Sequence, residues 1–486
     1  LKRLNQNMTP LFTALKEYHS KNVVPFDVPG HKHGVGLSEF RDFIGERVLE
    51  IDVNSMKCLD NLCNPIGVIK DAQELTADAY WADHAYFIVN GTTAAVQAMI
   101  MSACEPGDKI IIPRNAHKSA TSAIILSGAV PVYIQPEINE ELGIAMGVSV
   151  EEIERAIGKH PDTKAIFLIN PTYYGAVSDL ASIVKIAHRN GIAVLVDEAH
   201  GAHMNFHEEL PESAMKVGAD MAAVSMHKTG GSLTQSSILL LRDGIIDYNH
   251  VKTTINLTQS TSASYLLMSS LDVARKQLAT KGEEMLDNIL KLTREARENI
   301  NKIEGLYAFS KELIDTPGVY DFDETKLGVN VRRLGLTGYE VYDILRDEYN
   351  IQVELADMYN ILAIVSLGDT KESLDALVYA LDDIAKKYKK DEEIKLKKSI
   401  LQNPDLIVTP RDAYYSSKHS VPLDEANGEI SGESVMVYPP GIPLVVPGER
   451  ITKDMIDYIK VLKEEECQLQ GTQDPYVDYI NVLGRE

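Results

Sequence analysis

Between residues 85 and 241 the sequence alternates short apolar runs with segments of helical length, a pattern that few architectures other than crossover units around a mostly parallel sheet can satisfy. The runs are Ala85–Val89, Lys109–Ile112, Val130–Ile134, Lys164–Ile169, Ile192–Val196, Asp220–Val224 and Ser237–Leu241. Most lack polar alternation, as strands buried on both faces do. Between them, Thr93–Cys104, Ala116–Ser127, Ser149–Ile157 and Leu180–Arg189 carry helical periodicity. The reading is an α/β fold, with the expected division of the chain into an amino-terminal segment 1–60, a large domain 61–304, a small α+β domain 305–390 and a carboxy-terminal α+β domain 391–486. Residues 265–304 contain no proline and predict helices leading out of the sheet domain. In the small domain, Gly328–Arg332, Ile351–Glu354 and Ile361–Val365 predict strands, and Gly338–Glu348 and Lys371–Lys387 predict helices. The lysine-rich run Lys386–Lys398 marks a linker or solvated helix before the proline-richer end of the chain.

Charge narrows the partners. The 486 residues carry 48 Lys and Arg against 71 Asp and Glu, a net charge of −23. Such a balance repels phosphate backbones and anionic lipid, so neither nucleic acid nor a membrane surface is expected. Four irregularly spaced cysteines without a CxxC pair, no apolar run of ~20 residues and no apolar core near residue 1 predict a protein of the reducing cytoplasm.

The densest chemical signal is Ala222-Ala-Val-Ser-Met-His-Lys-Thr-Gly-Gly231, where a strand ends and Lys228 follows in a polar, glycine-bearing turn. Taken alone, Lys228 reads as a solvated loop lysine. Ile192-Ala-Val-Leu-Val-Asp-Glu-Ala-His200 alters that reading, because it sets Asp197 at the end of an apolar strand where an unpartnered carboxylate is costly. A lysine that forms a Schiff base and an aspartate that pairs with a protonated pyridine nitrogen are what pyridoxal 5′-phosphate requires. Both lie where ligands of open α/β sheets bind, outside the carboxyl ends of the strands. Phe87-Ile-Val-Asn-Gly-Thr-Thr-Ala94 turns through Gly91 into a helix opening with Thr92 and Thr93, which suits a phosphate or simply caps a helix. Ser225 and His227 offer further phosphate contacts, and His117 either stacks on the pyridine ring or caps the next crossover helix.

Two competing motifs are weaker. His200, His203 and His207 have a spacing compatible with a metal, but no cluster of acidic ligands accompanies them. Val-Asp-Glu-Ala-His resembles a Walker B string, yet the only Gly-Lys pair, Gly158-Lys159, lacks the glycines of a phosphate-binding loop.

The ordered series Thr9-Pro-Leu-Phe12, Pro29-Gly-His-Lys-His-Gly34, Pro113-Arg-Asn-Ala-His-Lys-Ser119, Asn170-Pro-Thr-Tyr-Tyr-Gly175, Val196-Asp-Glu-Ala-His-Gly201, Ser225-Met-His-Lys228, Gly230-Gly-Ser-Leu-Thr-Gln235 and Tyr438-Pro-Pro-Gly-Ile-Pro443 resembles the short bacterial form of the Orn/Lys/Arg decarboxylase family. These are fold-type I pyridoxal-phosphate enzymes. The resemblance implies that Lys228 holds the cofactor covalently, Asp197 pairs with its ring nitrogen, His117 stacks on the ring and His200 sits near its phenolic oxygen. It places Ser225, His227, Gly91, Thr92 and Thr93 at the phosphate, and Glu433 on the distal cation of the substrate. It further implies decarboxylation of a small cationic amino acid, arginine to agmatine for polyamine synthesis, with lysine or ornithine as alternatives; an aminotransferase or a non-enzymic relative is a remoter reading. The segment Gln259-Ser-Thr-Ser-Ala-Ser264 resembles one that family dimers contribute from the neighbouring subunit. With few residues before Thr9, the expectation is a homodimer or a dimer-based tetramer without the amino-terminal wing of the large inducible enzymes.

Overall fold

The computed structural model describes residues 4–395, 404–437, 442–464, 467 and 469–484. Of the motif Tyr438-Pro-Pro-Gly-Ile-Pro443, residues 438–441 lie outside the described residues, as does the end of the lysine-rich run, 396–398. The chain divides into two compact units, Leu1–Ser102 with Val196–Asp287, and Ala103–Leu195 with Asn288–Glu486.

All seven apolar runs form strands: β1 (His84–Ile88), β2 (Lys109–Pro113), β3 (Val130–Ile134), β4 (Thr163–Ile169), β5 (Ala193–Asp197), β6 (Met221–Val224) and β7 (Ser237–Leu241). They belong to one sheet in the order β1-β7-β6-β5-β4-β2-β3. β2 runs parallel to β3 and to β4, whereas β7 is antiparallel to both β6 and β1. The exception has a plain cause. Only Ser225–Ser236 separates β6 from β7, about the minimum for a parallel crossover, and much of it is turn and loop. Every residue of β5, β6 and β7 is buried, as their unbroken apolar character requires.

In the first unit, α1 (Gly91–Ala103) follows β1 directly. Residues beyond 264 form one continuous 36-residue helix, Tyr265–Ile300, in place of the several helices expected. Its buried Arg275 donates to the carbonyls of Gln6 and Met8 and to Asp272, and Asp272 accepts the N–H groups of Leu11 and Phe12. Those bonds hold helix Pro10–Ser20 by its amino end.

The second unit contains β2 to β4 and α2 (Lys118–Ser127). It also contains an antiparallel sheet of Tyr307–Ala308, Lys326–Asn330, Asn360–Ile364 and Leu355–Ala356, in that spatial order. Here the expected strand Ile351–Glu354 does not form. Helix Gly338–Tyr349 ends on Asn350 in a left-handed conformation, and the Ile351 N–H turns back to the Leu345 carbonyl, so residues that would pair laterally close the helix instead. The Glu354 N–H donates to the Leu362 carbonyl at 2.9 Å, and the strand itself begins at Leu355. Residues 404–484 have their own core, built from Leu423, Val435, Val445, Ile456, Ile459 and Val482 among others.

A buried ion pair ties this region to the end of β2. The Arg114 fork grips both oxygens of Glu449 and donates to the Leu444 carbonyl at 2.8 Å, and Glu449 also accepts the Val446 N–H. Bidentate geometry of this kind fixes orientation as well as charge.

Candidate active site

Tertiary structure gathers most of the expected residues within the first unit. Gly91 takes φ +76°, a conformation that favours glycine, and lets the chain pass from β1 straight into α1. The Thr92 hydroxyl then faces two others. It hydrogen-bonds Ser225 Oγ and lies 2.8 Å from Ser237 Oγ, which donates to the Val224 carbonyl at 2.7 Å. Three hydroxyls thus meet at the amino end of a 13-residue helix, where backbone N–H groups and the helix dipole favour an anion. Thr93 is exposed in the same first turn. His227 Nδ1 lies 3.0 Å from the Ser236 carbonyl, which fixes its ring beside this cluster.

Lys228 Nζ is 2.8 Å from Nε2 of the buried His200. Asp197 ends β5, buried, with one oxygen accepting the Ala199 N–H at 3.2 Å. Burial pushes its carboxyl above the ordinary value, and the positive charge of Lys228 acts in the opposite sense. A cation placed against Asp197 therefore relieves a strained ionisation. Of the other histidines after β5, His203 is buried and His207 Nδ1 accepts the Glu209 N–H.

Two expected residues lie in the second unit. His117 is the N-cap of α2, its Nδ1 accepting the Ser119 N–H at 3.2 Å and lying 2.9 Å from Ser119 Oγ. The capping role is present, and it leaves Nε2 and the ring faces outside the cap. Glu433 accepts the N–H groups of Asn481 and Gln473 at 2.8 and 2.9 Å and the Asn481 side-chain amide at 3.0 Å. A carboxylate has about four lone-pair positions, so one remains. In the segment 259–264, Gln259 pairs with the backbone of Phe87 and Val89, and residues 260–262 are exposed.

Two side chains escaped the sequence reading. Ser237 opens an apolar strand and meets Thr92 and Ser225 only through the antiparallel return of β7. Glu198, next to Asp197, is fully buried, with Oε1 accepting the Ala214 N–H at 2.6 Å and its carboxyl pushed up to about 8 by burial. An acid-acid pair at the end of an apolar strand was the signal available for it.

The donor set fits pyridoxal 5′-phosphate: hydroxyls and a helix terminus for its phosphate, Asp197 for its ring nitrogen, an amine for its aldehyde. A sheet of this order with these groups at its strand ends defines a fold-type I pyridoxal-phosphate enzyme. A family model described as Orn/Lys/Arg decarboxylase, major domain, matches residues 9–373, and one described as Orn/Lys/Arg decarboxylase, C-terminal domain, matches residues 394–475. The chain belongs to the Orn/Lys/Arg decarboxylase family and is a decarboxylase. It is 49% identical to an arginine decarboxylase of Bacillus subtilis (strain 168), over 99% of both chains. Against a lysine decarboxylase of Pseudomonas aeruginosa it is 25% identical, over 96% of this chain and 77% of that one. The solved lysine decarboxylase of Francisella novicida shares the fold with a TM-score of 0.84 at 22% identity, covering 98% of this chain and 81% of that chain.

Proposed function

We propose that this protein removes the α-carboxylate of L-arginine, releasing carbon dioxide and agmatine for polyamine synthesis in the cytoplasm. The observation that carries the substrate is the near-half identity, end to end, to arginine decarboxylases, about twice that to the lysine enzyme. Among the described residues no helix is long and apolar enough to cross a membrane.

When bound, pyridoxal 5′-phosphate supplies an electron sink for the pair left on Cα as carbon dioxide departs. The chain supplies the rest. Thr92, Ser225 and Ser237, with His227 and the first turn of α1, would hold the phosphate, and Gly91 shapes that turn. Thr93 borders it. Asp197 would keep a proton on the ring nitrogen, because an ionised carboxylate in so dry a place is stable only opposite a cation. Lys228 would be the covalent anchor, and it or a neighbouring histidine would return a proton to Cα. His200 accepts from the Lys228 amine at 2.8 Å and orients it. His117, its Nδ1 spent on the cap of α2, would lay its ring on the cofactor. Glu433 would bind the substrate guanidinium with its remaining acceptor capacity, a planar donor fork suiting a carboxylate better than an ammonium does.

Glu433→Gln tests that last assignment. The expected outcome is a rise in KM for arginine of tenfold or more with little change in cofactor affinity, since the amide keeps one oxygen to accept from the 473–481 segment. Unchanged kinetics would remove Glu433 from the substrate site.

The active unit is proposed to be a homodimer or a dimer-based tetramer. Large apolar side chains stand in solvent across residues 24–66, including Phe26 at 95%, Phe43 at 88% and Ile66 at 80% exposure. A second copy of the chain is the partner that would cover them.

A further inference from the structure

We propose that Glu198 is a positioning residue: its carboxyl clamps the turn that carries Asp197 and His200 to the segment at Ala214, and so holds both side chains in register with Lys228. The inference rests on the reading of Asp197, His200 and Lys228 as the cofactor site.

The turn after β5 has to deliver two side chains, Asp197 and His200, to one place. Its backbone is secured at intervals. The Glu198 N–H donates to the Ala223 carbonyl at 3.0 Å, the Gly201 N–H returns to the Glu198 carbonyl at 2.9 Å, and the Tyr80 hydroxyl donates to the Ala202 carbonyl at 2.8 Å. One long-range tie comes from a side chain within the turn, the 2.6 Å bond from the Ala214 N–H to Glu198 Oε1.

Successive residues at the end of an extended strand face opposite sides. Asp197 therefore turns toward Lys228, and Glu198 turns away into the interior, where it is 0% exposed. No described protein atom hydrogen-bonds its Oε2, and the titratable group that interacts with it is the buried Tyr80 hydroxyl. Among the described residues no cation compensates a charge there. A buried carboxyl in such surroundings holds its proton, consistent with the upward push that burial exerts on it. The arrangement is an expensive one for stability alone, since an apolar side chain would fill the same space without desolvating an acid. It has a use if the tie to Ala214 sets the pitch of the turn.

The test compares Glu198→Gln, Glu198→Ala and Glu198→Asp in the full-length protein. For each, pyridoxal 5′-phosphate affinity is measured by titrating the apoprotein, the seating of the bound cofactor by visible circular dichroism, and turnover by separate kcat and KM. Gln keeps an uncharged side chain with an oxygen for Ala214, so Glu198→Gln is expected to stay within about threefold of wild type in every readout. Glu198→Ala is expected to weaken cofactor binding tenfold or more, alter the visible dichroism and lower kcat with little change in KM. Should Glu198→Ala fail to fold, Glu198→Asp withdraws the carboxyl by one methylene and is expected to show the same changes in smaller degree. Folded Ala or Asp variants that lose thermal stability but keep wild-type cofactor affinity, dichroism and kcat would overturn the proposal. A Glu198→Gln protein as impaired as Glu198→Ala would overturn it too. Lys228→Ala is the control on the underlying reading. If that variant still shows the visible band of lysine-bound cofactor, the site assignment itself fails, and the role of Glu198 falls with it.

Discussion

Asp197 and Glu198 follow one another at the end of the same apolar strand, and their environments separate them. Asp197 feels the charge of Lys228, whereas Glu198 has one backbone N–H and, among the described residues, no cation. The consequence for stability has a definite sign. Folding lifts the Glu198 carboxyl from 4.5 to about 8, so between those values the folded chain keeps a proton that the unfolded chain has lost. Stability therefore declines as pH rises through that window, by at most about 1.4 kcal/mol per pH unit. Glu198→Gln removes the contribution. Its melting temperature relative to wild type should climb from pH 5 to pH 8 and then level off, as thermal scans across that range can check. Parallel curves at all pH values would show that Glu198 is ionised when buried.

At this scale the sequence was legible wherever a residue contradicted its surroundings. Lys228 stood in a glycine-bearing turn and Asp197 at the end of an apolar run, and each asked for a partner. Ser237 contradicted nothing, since a serine opening a strand is unremarkable until the register of β6 and β7 sets it beside Ser225. Glu433 was readable as an acid, but its three bonds to residues 473 and 481 depend on the path of a loop some 40 residues away that no local pattern announces.

Among the elements, the junction of β1 and α1 is the most exposed to a single change. Gly91 sits at φ +76°, where an L side chain costs roughly 1–2 kcal/mol. A Cβ there would meet nothing closer than Gln235 Cγ at 4.0 Å, so the penalty is conformational and not steric. Gly91→Ala should fold, lose a few degrees of melting temperature and bind pyridoxal 5′-phosphate several-fold more weakly as the first-turn N–H groups swing away. Wild-type affinity in a cofactor titration would mean that the turn takes no part in holding the phosphate. The strands of the main sheet were readable because most are buried on both faces and need continuous apolar character. Ile351–Glu354 alternates apolar and polar residues as a half-buried strand does, but it follows an asparagine that ends a helix, and capping took precedence over pairing. Arg114 and Glu449 are 335 residues apart, beyond the reach of any pattern along the chain.

For the whole molecule, charge and surface point the same way. A net charge of −23 discourages anionic partners and draws a cationic amino acid inward, an effect limited by screening beyond about 8 Å at physiological ionic strength. The exposed apolar side chains of residues 24–66 form the surface that the proposed second subunit would cover. Sedimentation should find dimers or tetramers for the wild type, and a Phe26→Asp, Phe43→Asp double variant should shift toward monomer with loss of activity. A fully active wild-type monomer would refute the proposed assembly. The central claim is the reaction. With pyridoxal 5′-phosphate added, carbon dioxide release from arginine, lysine and ornithine should be compared in one assay. The expected kcat/KM for arginine exceeds the other two by at least tenfold, with agmatine as product and no release from Lys228→Ala. Preference for lysine or ornithine, or a keto acid in place of the amine, would contradict it.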